Sequence, residues 1–323
     1  MRAFVILSFV LAIFLANQPV ALAQFSELSG GSETVIDLRP SFPQPGDEVK
    51  ATLNSGGNND LFGANITWLL DGKEVLSAQN SRSFEFTATE AGVAQIITAI
   101  LNKPNKALKE IERIFTPLYL DIIFEPQTHV PPFYLGRSTA SLGSVVNATA
   151  VLSGQKILGT DLVYRWEVGG DIIGQGTLRG QNKVSFATPR GKYVLLNLAV
   201  SDLFGNQIAG RSVYLPSVAP KIVFYEVNAL FGLKQTPAES SLRMFGSTLV
   251  VRAAPYFLDS RVYNNPDLLE WEVGGRVYEN VGQNPYEVTL QRNTFSGLAG
   301  LEVHVRDLDN LSQGAVGNID INL

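Results

Sequence analysis

The sequence predicts an all-β protein made of three tandem β-sandwich domains. One block of sequence recurs three times, around Trp68, Trp166 and Trp271, which lie 98 and 105 residues apart. A repeat of about 100 residues matches a domain that can bury enough apolar surface to fold alone. The chain of 323 residues also contains 29 glycines and 16 prolines, and only 17% of its residues are charged. This composition is typical of many short strands joined by turns.

Each tryptophan block predicts a strand that ends in a tight turn. Inward and outward positions alternate on both sides of the tryptophan, and this period of two places the indole on the inner face of a sheet. The blocks end in the dipeptides Asp71–Gly72, Gly169–Gly170 and Gly274–Gly275. These residue types tolerate the positive φ of two-residue hairpin loops. We therefore expect each block to pair with the segment that follows it, and the three tryptophans to be core residues.

Further segments repeat on both sides of the tryptophan blocks. A glycine-led apolar strand lies upstream in each copy, beginning after Gly46, Gly143 or Gly246. Residues 198–203 match residues 303–308 downstream without a gap. We predict that the helix-like stretch at 106–113 is the last strand of the first copy. About seven short strands per 100 residues, with a tryptophan on the third strand, indicate an immunoglobulin-like sandwich.

The repeated motif also resembles a known family. Trp-Glu-Val-Gly-Gly after a glycine-led strand, followed by Val-x-Asp, is similar to polycystic-kidney-disease-type (PKD-like) and related Ig-like repeats of exported bacterial proteins. Residues 129–134 and 220–226 resemble segments of uncharacterised multi-Ig exported proteins of candidate-phylum bacteria. The chain departs from the PKD-like pattern, because Asp-Gly or Gly-Gly stands where that family usually has Gly-Asp-Gly. The resemblance covers nearly all of residues 32–323 and implies fold and export, but no activity.

The N-terminus has the features of a signal peptide. Arg2 provides a positive charge, residues 3–16 are apolar apart from Ser8, and Ala21-Leu22-Ala23 supplies small residues for cleavage. The apolar run is shorter than the roughly 20 residues that cross a bilayer as a helix. The alternative is an uncleaved anchor, which would be the protein's one contact with a membrane. We expect an extracellular, cell-surface or periplasmic protein.

These features divide the chain into five predicted segments. The lead after the signal peptide is predicted to be flexible, and the linkers between the Ig-like domains are very short. The predicted segments are a signal peptide at 1–23, a flexible lead at 24–31, and Ig-like domains at 32–119, 120–218 and 219–323.

Charge and cysteine content exclude several classes of function. The net charge is −5 and no long basic run is present, so a nucleic-acid partner is poorly supported. The chain has no cysteine, which removes disulfides, thiolate zinc sites and cysteine nucleophiles. No phosphate-binding loop accompanies Gly174-Gln175-Gly176, because these residues lack a strand-to-helix context. We predict no cofactor.

The carboxylates and histidines offer only a weak case for catalysis. Glu270 and Glu272 share the outward face of one predicted strand, roughly 6.5 to 7 Å apart, near the separation used by inverting glycosidases. The alternative is that both are solvent-facing residues of an amphipathic strand. The two histidines, His129 and His304, fall in different predicted domains. We therefore predict that the protein is not an enzyme.

A turn rich in oxygen ligands is a weak candidate for a metal site. Asp307, Asp309 and Asn310 follow one of the predicted strands, and calcium favours clustered oxygen ligands. Aspartate and asparagine are also common in hairpin turns. We favour the turn over the metal site.

Aromatic residues beside prolines are the candidate binding residues. They are Phe133 and Tyr134 after Pro131-Pro132, and Tyr256 and Phe257 after Pro255. Exposed aromatics can stack on sugars or grip a partner, but such residues more often fill the junction between domains or cover the end of a sandwich, and we favour that interpretation. We expect a spacer, adhesion or protein-interaction module whose partner is a protein or an envelope polysaccharide. The alternative is a glycan-binding module that uses the aromatic clusters.

Overall fold

A computed structural model describes residues 34–55, 61–174, 176, 178–279, 282–292 and 297–323. The predicted signal peptide and flexible lead lie outside these residues. The described residues form antiparallel sheets almost throughout, with one short α-helix and one short 3-10 helix. Among them, no helix has the length and apolar character that a membrane span requires.

The first sandwich consists of two antiparallel sheets with the orders β1-β2-β5 and β4-β3-β6-β7. Both sheets contribute to one apolar core, in which Trp68 of β3 is fully buried and donates its indole N–H to the Ser81 carbonyl at 2.8 Å. Its strands are β1 (Thr34–Arg39), β2 (Glu48–Ser55), β3 (Asn65–Leu70), β4 (Lys73–Gln79), β5 (Ser83–Thr87), β6 (Gln95–Asn102) and β7 (Lys109–Phe115).

The second sandwich repeats this arrangement with the sheet orders β13-β9-β8 and β11-β10-β14-β15, and β12 also pairs with β10. Its core surrounds Trp166 of β10, and a 3-10 turn at Gly159–Asp161 precedes that strand. Its strands are β8 (Tyr119–Pro126), β9 (Val145–Ser153), β10 (Val163–Val168), β11 (Asp171–Ile172), β12 (Leu178–Arg179), β13 (Lys183–Ala187), β14 (Tyr193–Ser201) and β15 (Gln207–Pro216).

The third sandwich has the sheet orders β17-β16-β19-β22 and β18-β24-β23-β20-β21, with Trp271 of β20 in its core. It differs from the others by β17, by a parallel pairing of β18 with β24, and by α1 (Ser260–Asn264) after β19. Its strands are β16 (Lys221–Asn228), β17 (Gly232–Leu233), β18 (Ser241–Arg243), β19 (Thr248–Tyr256), β20 (Leu268–Val273), β21 (Arg276–Tyr278), β22 (Glu287–Gln291), β23 (Leu298–Arg306) and β24 (Gly314–Asn322).

The three tryptophans mark the same strand of each sandwich. Trp68, Trp166 and Trp271 lie on β3, β10 and β20, and each is at most 1% exposed. Each of these strands turns back into the next strand through a dipeptide with positive φ; in the first sandwich Asp71 and Gly72 have φ of 50° and 78°. The predicted all-β sandwich fold is therefore confirmed. The strand predicted at 106–113 is β7, which begins three residues later, at Lys109.

Neighbouring sandwiches touch at both junctions. At the first, the Gln44 side-chain amide donates to the Leu120 carbonyl at 2.9 Å. Gly92 packs so closely that a Cβ there would overlap the carbonyl oxygen of Gly154. The second junction, between the second and third sandwiches, carries many more contacts and contains most of the candidate site residues.

Candidate functional site at the seam between the second and third sandwiches

A backbone pairing joins the second and third sandwiches along what we call the seam. Residues 127–129, which follow β8, pair with residues 257–260, which follow β19. The His129 N–H donates to the Leu258 carbonyl at 2.7 Å, and the Phe257 N–H donates to the His129 carbonyl at 2.8 Å. Pro131 and Pro132 follow shortly after, and proline has no N–H with which to continue such a ladder. The pairing is therefore short but joins the two sandwiches directly.

Asp259 is a fully buried carboxylate at the centre of the seam. Its Oδ2 accepts a hydrogen bond from the Val145 N–H of the second sandwich at 3.0 Å, and its Oδ1 accepts from the Arg261 N–H at 2.9 Å, which caps α1. Burial raises the pKa of Asp259, but hydrogen bonds from Arg261 and from the Val145 N–H outweigh this effect and leave the pKa below its usual value. The carboxylate is thus held ionised between two sandwiches.

Gln313 is a second buried polar link across the seam. Its side-chain amide donates to the Leu142 carbonyl at 2.7 Å and to Ser141 Oγ at 3.0 Å. Its Oε1 accepts from the Asp259 N–H at 2.8 Å. One side chain of the third sandwich therefore satisfies polar groups of both sandwiches, and a buried network of this kind is costly to break.

The predicted oxygen-rich turn lies at the edge of the seam. Asp307 Oδ1 accepts hydrogen bonds from the N–H groups of Asp309 and Asn310, both at 2.9 Å, as in a common aspartate turn. Asn310 Nδ2 donates to the Gly143 carbonyl at 3.3 Å. Among the described residues, no group of three or more His, Cys, Asp or Glu side chains is arranged to hold a metal ion. The contacts of Asp307, Asp309 and Asn310 thus serve the turn and the seam.

The four candidate binding aromatics also meet at the seam. Tyr134 packs edge-to-face on Tyr256, with ring centroids 5.4 Å apart, and lies 6.0 Å from Phe257. Phe133 packs in the same way on Tyr225 at 5.1 Å, and the hydroxyls of Tyr225 and Tyr256 are 2.6 Å apart. Tyr256 is only 7% exposed and Phe257 9% exposed, whereas Tyr134 is 37% exposed. These rings therefore contact each other across the seam, and Tyr256 and Phe257 are nearly covered while Tyr134 keeps part of its ring open.

His129 is packed in a stack of rings. Its imidazole lies 3.4 Å from the Tyr263 ring, at an interplanar angle of 7°, and Tyr263 stacks on Tyr286 at 4.7 Å. Burial lowers the pKa of His129 to about 4. The other histidine, His304, lies on β23 opposite Glu270 of β20. The structure therefore does not bring the two histidines together.

The paired glutamates lie on the outward face of β20. Glu270 is opposite His304, and Glu272 is opposite Glu302. A cleft of about 600 Å³ on this face is lined by Glu272 and Glu302 but not by Glu270. The two glutamates therefore do not line this cleft as a pair.

A polar cleft that the sequence did not indicate lies at the first junction. The cleft measures about 570 Å³ and lies between the loop after β1 and the outward face of β10, β14 and β15. Phe42 of the first sandwich lines it together with Arg165, Glu167 and Arg211 of the second. The Nε of Arg211 is buried and has no hydrogen-bond partner among the described residues. The cleft thus combines charged groups, one aromatic ring and an unused donor.

Sequence reasoning missed Asp259, Gln313 and Tyr263, the central residues of the seam. Asp259 precedes a short helix, and an aspartate at that position is a recognised helix-capping signal. A lone glutamine such as Gln313 carries no comparable signal, because its role depends on carbonyl groups about 170 residues earlier in the chain.

No family model matches the chain, and no curated protein matches it. Similar solved structures include three N-terminal domains of the highly immunogenic outer capsid protein (Hoc) of bacteriophage RB49. That match has 12% identity and a TM-score of 0.24, and covers 90% of this chain and 98% of that one. Fibronectin(III)-like modules of Clostridium thermocellum CbhA match at 11% identity and a TM-score of 0.25. That match covers 57% of this chain and 95% of that one.

A third similar structure is the Bacteroides ovatus protein SGBP-B from a mixed-linkage glucan utilization locus, in complex with a heptasaccharide. It matches at 13% identity and a TM-score of 0.23, and 90% of this chain and 70% of that chain are covered. The fold assignment rests on the strand pairing and cores of the chain itself.

Proposed function

We propose that the protein is a non-enzymatic, exported spacer and interaction module built from tandem Ig-like domains. Its place is outside the cytoplasm, in the periplasm, at the cell surface or in the medium. The signal-peptide features of residues 1–23 support export. The motif resemblance supports a place among exported bacterial Ig-like repeat proteins, and the partner is a protein or an envelope polysaccharide.

One observation carries this proposal: the residues that looked most like a ligand site are engaged in holding two sandwiches together. Tyr256 and Phe257 are nearly covered, and Asn310 hydrogen-bonds across the seam. Asp259 and Gln313 add a buried polar network there. A junction of this kind fixes the relative orientation of adjacent domains, which is what a spacer requires.

The arrangement of the cores supports three domains in the chain. The three large apolar clusters span residues 36–115, 118–215 and 222–323. We propose that each cluster is the core of one domain, with one boundary at 218/219 and the other just before Leu118, since Leu118 and β8 pack in the second cluster.

A binding screen tests the proposed function. Residues 24–323 would be tested against soluble glycans, cell-wall polysaccharides and envelope proteins of the producing cells. Tyr134→Ala alters the most open ring of the seam, and Tyr214→Ala, a 68% exposed tyrosine on β15, is the matched control. We expect any protein binding to survive Tyr134→Ala. Sugar binding that Tyr134→Ala abolishes and Tyr214→Ala leaves intact would instead favour a glycan-binding module using the aromatics.

A second candidate function is glycan binding in the polar cleft at the first junction. The observation that favours it is Arg211, which lines the cleft together with Phe42 and whose Nε is buried without a hydrogen-bond partner among the described residues. Ligand sites commonly combine a few fixed polar groups with apolar or aromatic walls. In the same screen, Arg211→Gln would abolish binding at this cleft. Arg190→Gln, at an exposed site outside the cleft, would not. Equal glycan binding by both variants would exclude the cleft as the binding site.

A further inference from the structure

A second cleft at the first junction shares Phe42 with the polar cleft but is otherwise lined mainly by apolar residues. It measures about 440 Å³, which falls within the usual range for small-molecule sites. The first sandwich contributes the loop after β1, the turn before β6 and the end of β7, and the second contributes the loop after β9 and the start of β15. We call it the apolar cleft, because its walls include Pro43, Ile114, Phe115 and Ile157.

The walls of the apolar cleft are held in place by contacts between the two sandwiches. The Gly92 N–H donates to the Pro117 carbonyl, between β7 and β8, at 2.9 Å. Gly92 also lies so close to Gly154 that no side chain fits between them. Near the cleft, the Gln44 amide donates to the Leu120 carbonyl at 2.9 Å. The cleft is therefore formed before a ligand binds, which lowers the cost of ordering it on binding.

Gln155 adds an unused hydrogen-bond acceptor to the apolar cleft. It lines the cleft in the loop after β9, and its Oε1 is buried without a hydrogen-bond partner among the described residues. A buried acceptor that has no donor costs free energy in the folded protein, and such groups are rare. An N–H or O–H group of a bound molecule would supply the missing donor.

Two positive side chains, and no Asp or Glu among the described residues, line the apolar cleft. Arg113 belongs to the first sandwich and Lys156 to the second, and neither forms a salt bridge in the described part of the chain. The acidic residues nearest to the lining in sequence, Glu90 and Glu112, are exposed and lie outside it. Two like charges repel each other, and an anion placed between them is attracted to both.

We propose that the apolar cleft binds a small amphipathic anion, namely an apolar body that carries a carboxylate or sulfonate and an N–H or O–H donor. The apolar walls cover the body, Arg113 and Lys156 attract the anionic group, and the donor bonds to Gln155 Oε1. The inference goes beyond the proposed spacer role. It uses none of the seam residues, so its failure would leave that role untouched.

Fluorescence titration of residues 24–323 with 8-anilinonaphthalene-1-sulfonate tests this inference. The probe combines aromatic rings, one sulfonate and one N–H. N-phenyl-1-naphthylamine is the matched control compound, because it has the same rings and N–H but no charge. We expect one site per chain for the sulfonate probe and binding of the neutral compound that is about tenfold weaker, the factor expected for one charge-assisted contact. Equal affinities, or no binding of the sulfonate probe, would overturn the proposal.

Variants that remove charge locate the site. Arg113→Gln combined with Lys156→Gln should weaken binding of the sulfonate probe about tenfold and leave binding of the neutral compound unchanged. Arg190→Gln combined with Lys183→Gln is the matched control, because it removes two exposed charges outside the cleft. Equal binding of the sulfonate probe by the two double variants would overturn the proposal. So would binding that only Arg211→Gln abolishes, because the probe would then occupy the polar cleft.

Gln155→Leu separates a contact with the ligand from a contact within the protein. Leucine has a similar size but cannot accept a hydrogen bond. Because Gln155 Oε1 has no partner among the described residues, we expect urea-induced unfolding to be unchanged and binding of the sulfonate probe to weaken about tenfold. Gln181→Leu, at an exposed site outside the cleft, is the control and should bind like the wild type. Probe binding that Gln155→Leu leaves intact would contradict the proposed site.

Discussion

The Asp259 carboxylate of the third sandwich accepts a hydrogen bond from the backbone N–H of Val145 in the second, at 3.0 Å and out of contact with solvent. Val145 is the first residue of β9, so the bond joins the start of a core strand in one sandwich to the helix cap of the next. A buried charge with these partners stabilises the junction, and its loss leaves polar groups of both sandwiches unsatisfied.

Removing the Gln313 side chain should destabilise the seam. Gln313→Ala leaves the Leu142 carbonyl and the Asp259 N–H without their present partner, at a cost of about 1 to 3 kcal/mol. Urea-induced unfolding of residues 24–323 would measure the loss, with Gln283→Ala at an exposed site of the third sandwich as control. Equal stability of the two variants would show that Gln313 contributes nothing to the junction.

Truncating a core tryptophan should destabilise its own sandwich strongly. Trp271 is 1% exposed, and Trp271→Ala would remove a large buried side chain at a cost of about 3 to 5 kcal/mol. Trp166→Ala should have a similar effect in the second sandwich. Hydrogen exchange followed by mass spectrometry would assign the loss to the sandwich concerned. A cost below about 1 kcal/mol would be inconsistent with a core position.

Replacement by phenylalanine should distinguish the two tryptophans. The indole N–H of Trp271 donates to the Pro285 carbonyl at 2.9 Å, whereas that of Trp166 is buried without a partner among the described residues. Trp271→Phe therefore also loses a hydrogen bond, and we expect it to cost about 1 kcal/mol more than Trp166→Phe. Denaturant unfolding of the two variants measures the difference, and the reverse order would contradict the assigned contacts.

The seam should weaken as the pH falls below neutrality. The pKa of His129 is lowered from 6.5 to about 4 in the folded protein, so the unfolded chain binds the proton first. Stability is therefore lost progressively between about pH 6.5 and pH 4 and is unaffected by this group at higher pH. His129→Phe keeps an aromatic ring beside Tyr263 but has no group that titrates there. The stability of this variant should therefore depend less on pH over the same range. Thermal melting at a series of pH values measures how the stability of each variant depends on pH.

His304→Phe provides the control for this pH profile, because His304 lies on β23 away from the ring stack. That variant should keep the wild-type slope between about pH 6.5 and pH 4. If His129→Phe showed the same slope as the wild type, the titrating group would lie elsewhere.

The repeat and its turns could be predicted from the sequence because their causes are local. Alternating residues placed Trp68, Trp166 and Trp271 in the core, and dipeptides such as Asp71–Gly72 indicated tight turns. A strand face and a turn depend on residues within a few positions of one another. The predicted strands therefore agree closely with those observed.

The seam could not be predicted in the same way because its contacts join distant residues. Gln313 hydrogen-bonds to Leu142, and the ring of His129 stacks on Tyr263, which lies in the other sandwich. The sequence identified Tyr134 and Tyr256 as notable aromatics but could not show that they contact one another. Such contacts depend on how complete sandwiches pack, which no short pattern specifies.

The distance between the second and third sandwiches tests the central claim most directly. Because the chain has no native cysteine, Ser185→Cys on β13 and Thr289→Cys on β22 would place one spin label on each sandwich at exposed positions. A fixed seam predicts a single narrow distance distribution by double electron–electron resonance, which broadens when Asp259→Ala and Gln313→Ala are combined. A broad distribution in the otherwise unaltered protein would contradict a fixed seam.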